Sequence, residues 1–172
     1  MTSIEFVQWA ESLRELLAEL ETLEFDYPLG DNRILPPTTV RRSLPGVLHP
    51  LYEVCDGVSL PDVHVGYFID PNARVASSFE RGEPNCIKSD SANIDVCVFG
   101  SDGGGGRFAV VIDDRSVVYL PSSGAVRNGV YYEDSTSKPS RISDSVLAFL
   151  LRLNADVSAF ICGEDGHPYM AR

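Results

Sequence analysis

Basic residues are scarce in this chain. Lys and Arg number 14 against 25 Asp and Glu, a net charge of -11 at pH 7. Such a field repels nucleic acid and anionic membranes, which argues against a DNA, RNA or lipid-surface binder. It steers the protein towards a basic partner, although acidity also serves plain solubility. No apolar run approaches the ~20 residues of a membrane span. Met1 to Gly30 carries acidic residues where a secretory signal has a basic start. Both features point to a cytoplasmic protein with no membrane partner. The four cysteines, Cys55, Cys86, Cys97 and Cys162, are scattered with no Cys-x-x-Cys spacing, so free thiols are expected rather than a zinc site or a disulfide framework. Motifs for catalysis are missing as well. There is no Gly-x-Ser-x-Gly elbow, no His-Glu-x-x-His pair and no Asp-x-Asp-x-Asp-Gly calcium loop. A non-enzymatic protein with no cofactor and no metal is the expectation.

What is present centres on residues 94–120. Ile94, Val96 and Val98 alternate with Asp95, Cys97 and Phe99, and Phe108, Val110 and Ile112 alternate with Arg107, Ala109 and Val111. This is the period of strands with one buried face. Between them lies Gly103 to Gly106, which no helix or strand interior tolerates, because glycine loses backbone entropy and packs nothing. Asp113-Asp114-Arg115 marks the next turn before a strand over Ser116 to Leu120. The glycines resemble a phosphate loop only superficially. A strand rather than a helix follows, Asp102 sits in the loop, and no lysine is near.

The rest must cover this meander. Phe6, Trp9 or Ala10, Leu13, Leu16, Leu17 and Leu20 have helical spacing, which predicts a helix over 1–24, with Thr2 and Glu5 placed for a capping box. Its opposite face carries Glu5, Glu11, Glu15 and Glu19, with Arg14 among them. Pro28, Gly30 and Pro36-Pro37 mark a loop. Residues 44–56 read as a short helix ended by Asp56-Gly57. Residues 58–132 read mainly as strands: Val58 to Leu60, Val63 to Ile69, the meander, and one more over Ala125 to Tyr132. Val75 to Phe79 suits a helical turn, and Arg81 to Asn85 an exposed loop. A terminal helix is predicted over 142–160, opening at Ser143, and a loose tail over 163–172. At 172 residues this is one domain, able to bury roughly 70% of its unfolded surface. The order describes an α+β fold: an antiparallel twisted sheet of about five to six strands covered by N- and C-terminal helices.

Candidate functional groups are carboxylates and tyrosines. Asp102 lies on the glycine turn, Asp113 and Asp114 share a hairpin turn, and Glu133 and Asp134 share a loop. Tyr119, Tyr131 and Tyr132 are near them in sequence. Acid beside tyrosine suits a protein-contact patch, while solvated turns and packed strand tyrosines are the plainer reading. The three histidines, His49, His64 and His167, lie far apart. His64 alternates with Val63 and Val65 and is expected on the polar face of a strand. A third reading is an enzyme or small-molecule binder acting through a cleft over the sheet near His64 and the glycine turn.

Two stretches resemble a known superfamily. Leu44-Pro45, Leu51-Tyr52 and Asp56-Gly57 look like its short helix and turn. Val98-Phe99-Gly100-Ser101-Asp102-Gly103-Gly104-Gly105 with Phe108 is similar to its phenylalanine-glycine, aspartate-glycine-glycine hairpin. The strand over Val117 to Leu120 and the helix from Ile142 to Phe160 also fall in place. The chain thus resembles the SUKH superfamily, fungal cell-wall regulators and bacterial immunity proteins, over about residues 40–160. The resemblance implies an α+β binding scaffold that blocks a toxin by direct contact. Many such toxins are nucleases or deaminases with basic clefts, which an acidic protein suits. A cytosolic adaptor without a toxin partner is the second reading.

Overall fold

A computed structural model describes residues 3–39, 43–89, 92–133 and 136–164. The chain is α+β, with helices at both ends of a mainly antiparallel sheet. Helix α1 (Ser3–Leu20) forms where the apolar period predicts it, and Phe6, Trp9, Ala10, Leu13, Leu17 and Leu20 are all buried. It stops at Leu20, four residues early, as Thr22 turns its hydroxyl back onto the Glu19 carbonyl at 2.7 Å. The expected cap, Thr2, lies outside the described residues. Strand β1 (Arg33–Ile34) follows, then a 3₁₀ turn (Gly46–Leu48) running into α2 (His49–Val54), with Pro50 in the first turn.

The residues that carry the family resemblance here are anchors. The Tyr52 hydroxyl donates to the Asp70 carbonyl at 2.6 Å, and Asp56 accepts the Asn72 amide at 2.7 Å. Gly57 adopts φ 110°, with its missing Cβ position 2.4 Å from the Ile69 carbonyl oxygen. That approach lets β2 (Val58–Leu60) pair with β3 (Tyr67–Ile69). The expected strand over Val63 to Ile69 is therefore halved. Residues 61–66 are a turn in which His64 sits at φ 52°, a left-handed conformation no strand residue adopts.

The meander is present as β5 (Asn93–Asp102), β6 (Arg107–Val111) and β7 (Val117–Leu120), paired antiparallel in order. Strand β5 is long enough to serve two neighbours along one side. Its last residues pair with β3 and its first with β4 (Cys86–Lys88). Strand β4 lies parallel to β9 (Val130–Tyr132), which pairs with β8 (Ala125–Arg127). The single strand expected over Ala125 to Tyr132 is thus a hairpin. Asn128 and Gly129, at φ 51° and 75°, have the two left-handed residues of a primed turn. Strand β10 (Ser140–Ser143) pairs with β7, so Ile142 and Ser143 belong to the sheet and not to the last helix. Helix α4 (Val146–Ile161) starts behind Ser145, whose hydroxyl caps the Ala148 amide at 3.1 Å. Ten strands are described instead of five or six, the excess being pieces of two to four residues. Short helix α3 (Asn72–Ala76) fills the gap before β4. Gly163 (φ 72°) and Glu164 close α4 through the Glu164 amide to the Ala159 carbonyl, 2.9 Å, so they belong to its cap rather than to a tail. Residues 165–172 lie outside the described set.

The meander is buried on both faces, where one was expected. Phe99, Phe108, Val110 and Val117 point into a large core with α1, α2 and α4. Val96, Val98, Ala109, Val111, Val118 and Leu120 point the other way, into a smaller core closed by Ile87 and Tyr131. Val98 and Phe99 face different cores by the ordinary alternation of a strand, and a bulge between the pairs Val98↔Ala109 and Gly100↔Phe108 inserts Phe99 as the extra residue opposite β6. The two long helices run in the same direction. The Trp9 indole donates to the Leu150 carbonyl at 3.0 Å and Asn154 donates back to the Trp9 carbonyl at 3.1 Å. All four cysteines are free, and only Cys55 is buried. Among the described residues no helix is long and apolar enough to cross a membrane.

Gly57→Ala should lower stability by at least about 2 kcal/mol, because a left-handed site and a backbone clash coincide. Gly46→Ala, where a Cβ meets open space, should change it by no more than about 0.5 kcal/mol. Urea unfolding followed by the single tryptophan, Trp9, measures both.

Candidate functional site

The acids and tyrosines singled out in the sequence do not form one surface. Asp102 is only 6% exposed and works inside the molecule. Its Oδ1 accepts the Gly106 amide and its Oδ2 the Tyr119 hydroxyl, each at 2.7 Å. Gly106 lies flat on the Tyr119 ring, 2.1 Å from the hydroxyl oxygen to the position a Cβ would take. The Gly103 amide reaches the Gly66 carbonyl at 2.9 Å. The glycine loop is thus tied to the 61–66 turn and to β7 through one buried carboxylate, so Asp102 is an anchor and not a contact residue. Tyr131 is fully buried, its hydroxyl 2.9 Å from both the Pro121 and Ser137 carbonyls, which removes it from any outer patch.

Asp113 and Asp114 are exposed, at the opposite end of the meander from the glycine loop. The Asp114 carboxylate accepts the Ser116 amide (2.9 Å) and hydroxyl (2.6 Å) and lies 3.2 Å from the Arg141 guanidinium. These bonds hold its pKa below the ordinary aspartate value. Its stabilising effect is therefore full above the unfolded aspartate range and lost as pH falls through the folded value. Tyr132 is 38% exposed on β9, with the Lys88 ammonium 5.6 Å from its ring centre. Glu133 beside it is half-buried, and Asp134 lies outside the described residues.

The His64 region is no open cleft. The imidazole side chain is 9% exposed, with Nε2 3.6 Å from Oδ1 of Asp156, which is fully buried in α4. Its ring meets Phe160 edge-on at 5.1 Å. The Nε2 of His49 is 3.1 Å from the Leu44 carbonyl, and His167 lies outside the described residues. A cleft of about 500 Å³ is lined by Phe6, Val47, Pro50, Ile112 and Val146, with the charged Arg115 at its wall. Among the described residues no three His, Cys, Asp or Glu side chains gather to hold a metal ion.

No family model, curated protein or solved structure matches the chain. The surface chemistry itself is the remaining guide.

The strongest charged feature is the outer face of α1 and the segment after it. Glu11, Glu15 and Glu19 are exposed at four-residue spacing, followed by exposed Glu21, Glu24 and Asp26. With Glu5, residues 3–26 hold seven carboxylates against Arg14, a net of -6 of the chain's -11. Like charges at this spacing destabilise a helix by about 0.2–0.5 kcal/mol per pair. The helix tolerates them because its other face is held by the core. The periodicity showed these acids, but the neighbourhood of acids and tyrosines in sequence drew attention to the hairpin turns instead.

Tyr119→Phe should cost about 1.5 kcal/mol, because it leaves the Asp102 carboxylate without its charge-assisted donor. A double-mutant cycle with Asp102→Asn should show coupling of about 1 kcal/mol or more between the two; additive losses would show that the pair does not anchor the loop.

Proposed function

We propose that the chain is a non-enzymatic immunity protein of the SUKH kind, which binds a basic toxin domain such as a nuclease or deaminase and neutralises it by direct contact in the cytoplasm. The observation that carries this reading is the strongly net-negative outer face of α1 and the segment after it. A helix that keeps Glu11, Glu15 and Glu19 in line lowers its own stability slightly and gains a strong field for steering a cationic partner. The buried side of the same helix fixes that field in place, since Trp9 and Asn154 tie it to α4. A rigid, pre-charged face loses little freedom on association, which favours a fast and specific encounter.

Toxin domains encoded beside the gene provide the test. At least one should bind with an association rate that falls steeply with added salt. The triple variant Glu11→Gln, Glu15→Gln, Glu19→Gln should bind it about tenfold or more weakly at low salt, with unfolding unchanged or slightly stabilised. Failure of every candidate to associate at low salt would remove the reading.

A further inference from the structure

Helices α1 and α4 end on the same side of the molecule, and neither has a basic residue in its last turn. A helix C-terminus carries partial negative charge that cations normally offset. Here acids surround it instead. Glu19, Glu21, Glu24, Asp26, Asp31 and Glu164 are exposed around this end, and Arg33 lies 2.8 Å from Asp31. Within the acidic ring is a row of aromatic rings. Phe25 stacks on Phe160 (6.2 Å, 10° between planes), Tyr27 tilts against Phe25 at 5.4 Å, and Phe160 meets His64, which faces buried Tyr67 at 6.3 Å. The row climbs from core to solvent: Phe25 and Phe160 are half-buried, Tyr27 is 49% exposed, and Val65 beside His64 is 48% exposed. The segment holding Tyr27 is pinned, because Asp62 accepts the Gly30 amide at 2.8 Å and the Asn32 side chain at 2.5 Å.

We infer that this end is a docking surface for an arginine-bearing segment of a basic protein. The chemistry selects that occupant. A guanidinium is planar and weakly hydrated, so it stacks on an aromatic face while its edge donates to carboxylates, and this surface offers both within one patch. An apolar partner would have to desolvate the acidic ring, and an ammonium would gain charge attraction without the stacking. The two helix ends add field of the same sign. The inference rests on the reading that the partner is a basic protein, and it places the centre of contact at Tyr27 rather than along the middle of α1.

The full-length protein is titrated with a ten-residue peptide alternating arginine and glycine, and with counterparts carrying lysine or citrulline in place of arginine. The arginine peptide should bind most tightly, the lysine peptide more weakly, and the neutral citrulline peptide not measurably. Tyr27→Ala, on an exposed loop that leaves thermal unfolding unchanged, should weaken arginine-peptide binding about three- to tenfold. Backbone amide shifts on titration should cluster at 23–32, 62–66 and 158–164. Shifts centred on 7–19, or equal binding by Tyr27→Ala, would overturn the site. The two readings separate cleanly. Toxin binding that ignores Tyr27→Ala removes this site and leaves the proposed function, whereas arginine-peptide docking here with no toxin association does the reverse.

Discussion

Everything in this fold follows from a sheet whose central strands have no face left for water. Strand β5 sends Val96 and Val98 into one core and, by strand alternation, Phe99 into the other. A meander of that kind is insoluble alone, and two separate covers must close it. Helices α1, α2 and α4 close one side, with Phe149 seated 5.6 Å from Phe99 and 5.0 Å from Phe108. The ribbon of β4, β9 and β8 closes the other, with buried Tyr131 and Ile87 as its contribution. The small ribbon is as necessary as the helices, since Val98, Ala109 and Val118 would otherwise meet solvent.

This arrangement also explains what is left for function. Buried acids such as Asp102, Asp156 and, in part, Asp62 hold turns together. Seven further carboxylates lie on α1 and just beyond its end, and Glu11, Glu15 and Glu19 among them face solvent. Loops that look suited to chemistry in the sequence are therefore mechanical. The glycine loop is fastened at Gly103 to the 61–66 turn and at Gly106 to Asp102, with a Cβ at Gly103 only 1.9 Å from the Val65 carbonyl oxygen. The outer face of α1 and the segment after it, by contrast, form an acidic surface beside exposed Tyr27.

How much of this could be read from the residues depends on the length of each signal. The eighteen residues of α1 repeat their apolar period often enough to be unmistakable, and the glycine run could only be a connection. Strands of two or three residues carry no period, so β1, β4 and the separation of β8 from β9 were hidden, although Asn128-Gly129 was a legible turn. Ile142 suited both strand and helix, and only pairing with β7 decides it. Burial on both faces was written in Val96, Val98, Ala109 and Val111, yet each resembles an ordinary member of an alternating strand until a second cover is known. The candidate site was less legible still. Tyr119 and Asp102 are close in space because β7 returns beside β6, and sequence distance says nothing of whether the contact points in or out. The row from Tyr27 to His64 joins three distant segments, which no local pattern reveals.

Native-state hydrogen exchange at the Val96 amide tests the two-cover account most directly. That amide donates to the Asn85 carbonyl at 2.9 Å, across the junction between meander and ribbon. If the ribbon is an integral cover, Val96 exchanges only when the whole molecule unfolds, with the same free energy that Trp9 fluorescence reports for the helical side. Exchange through a local opening several kcal/mol below the global value would contradict the account, because it would mean that the second core is a loose flap and the sheet stands on the helices alone.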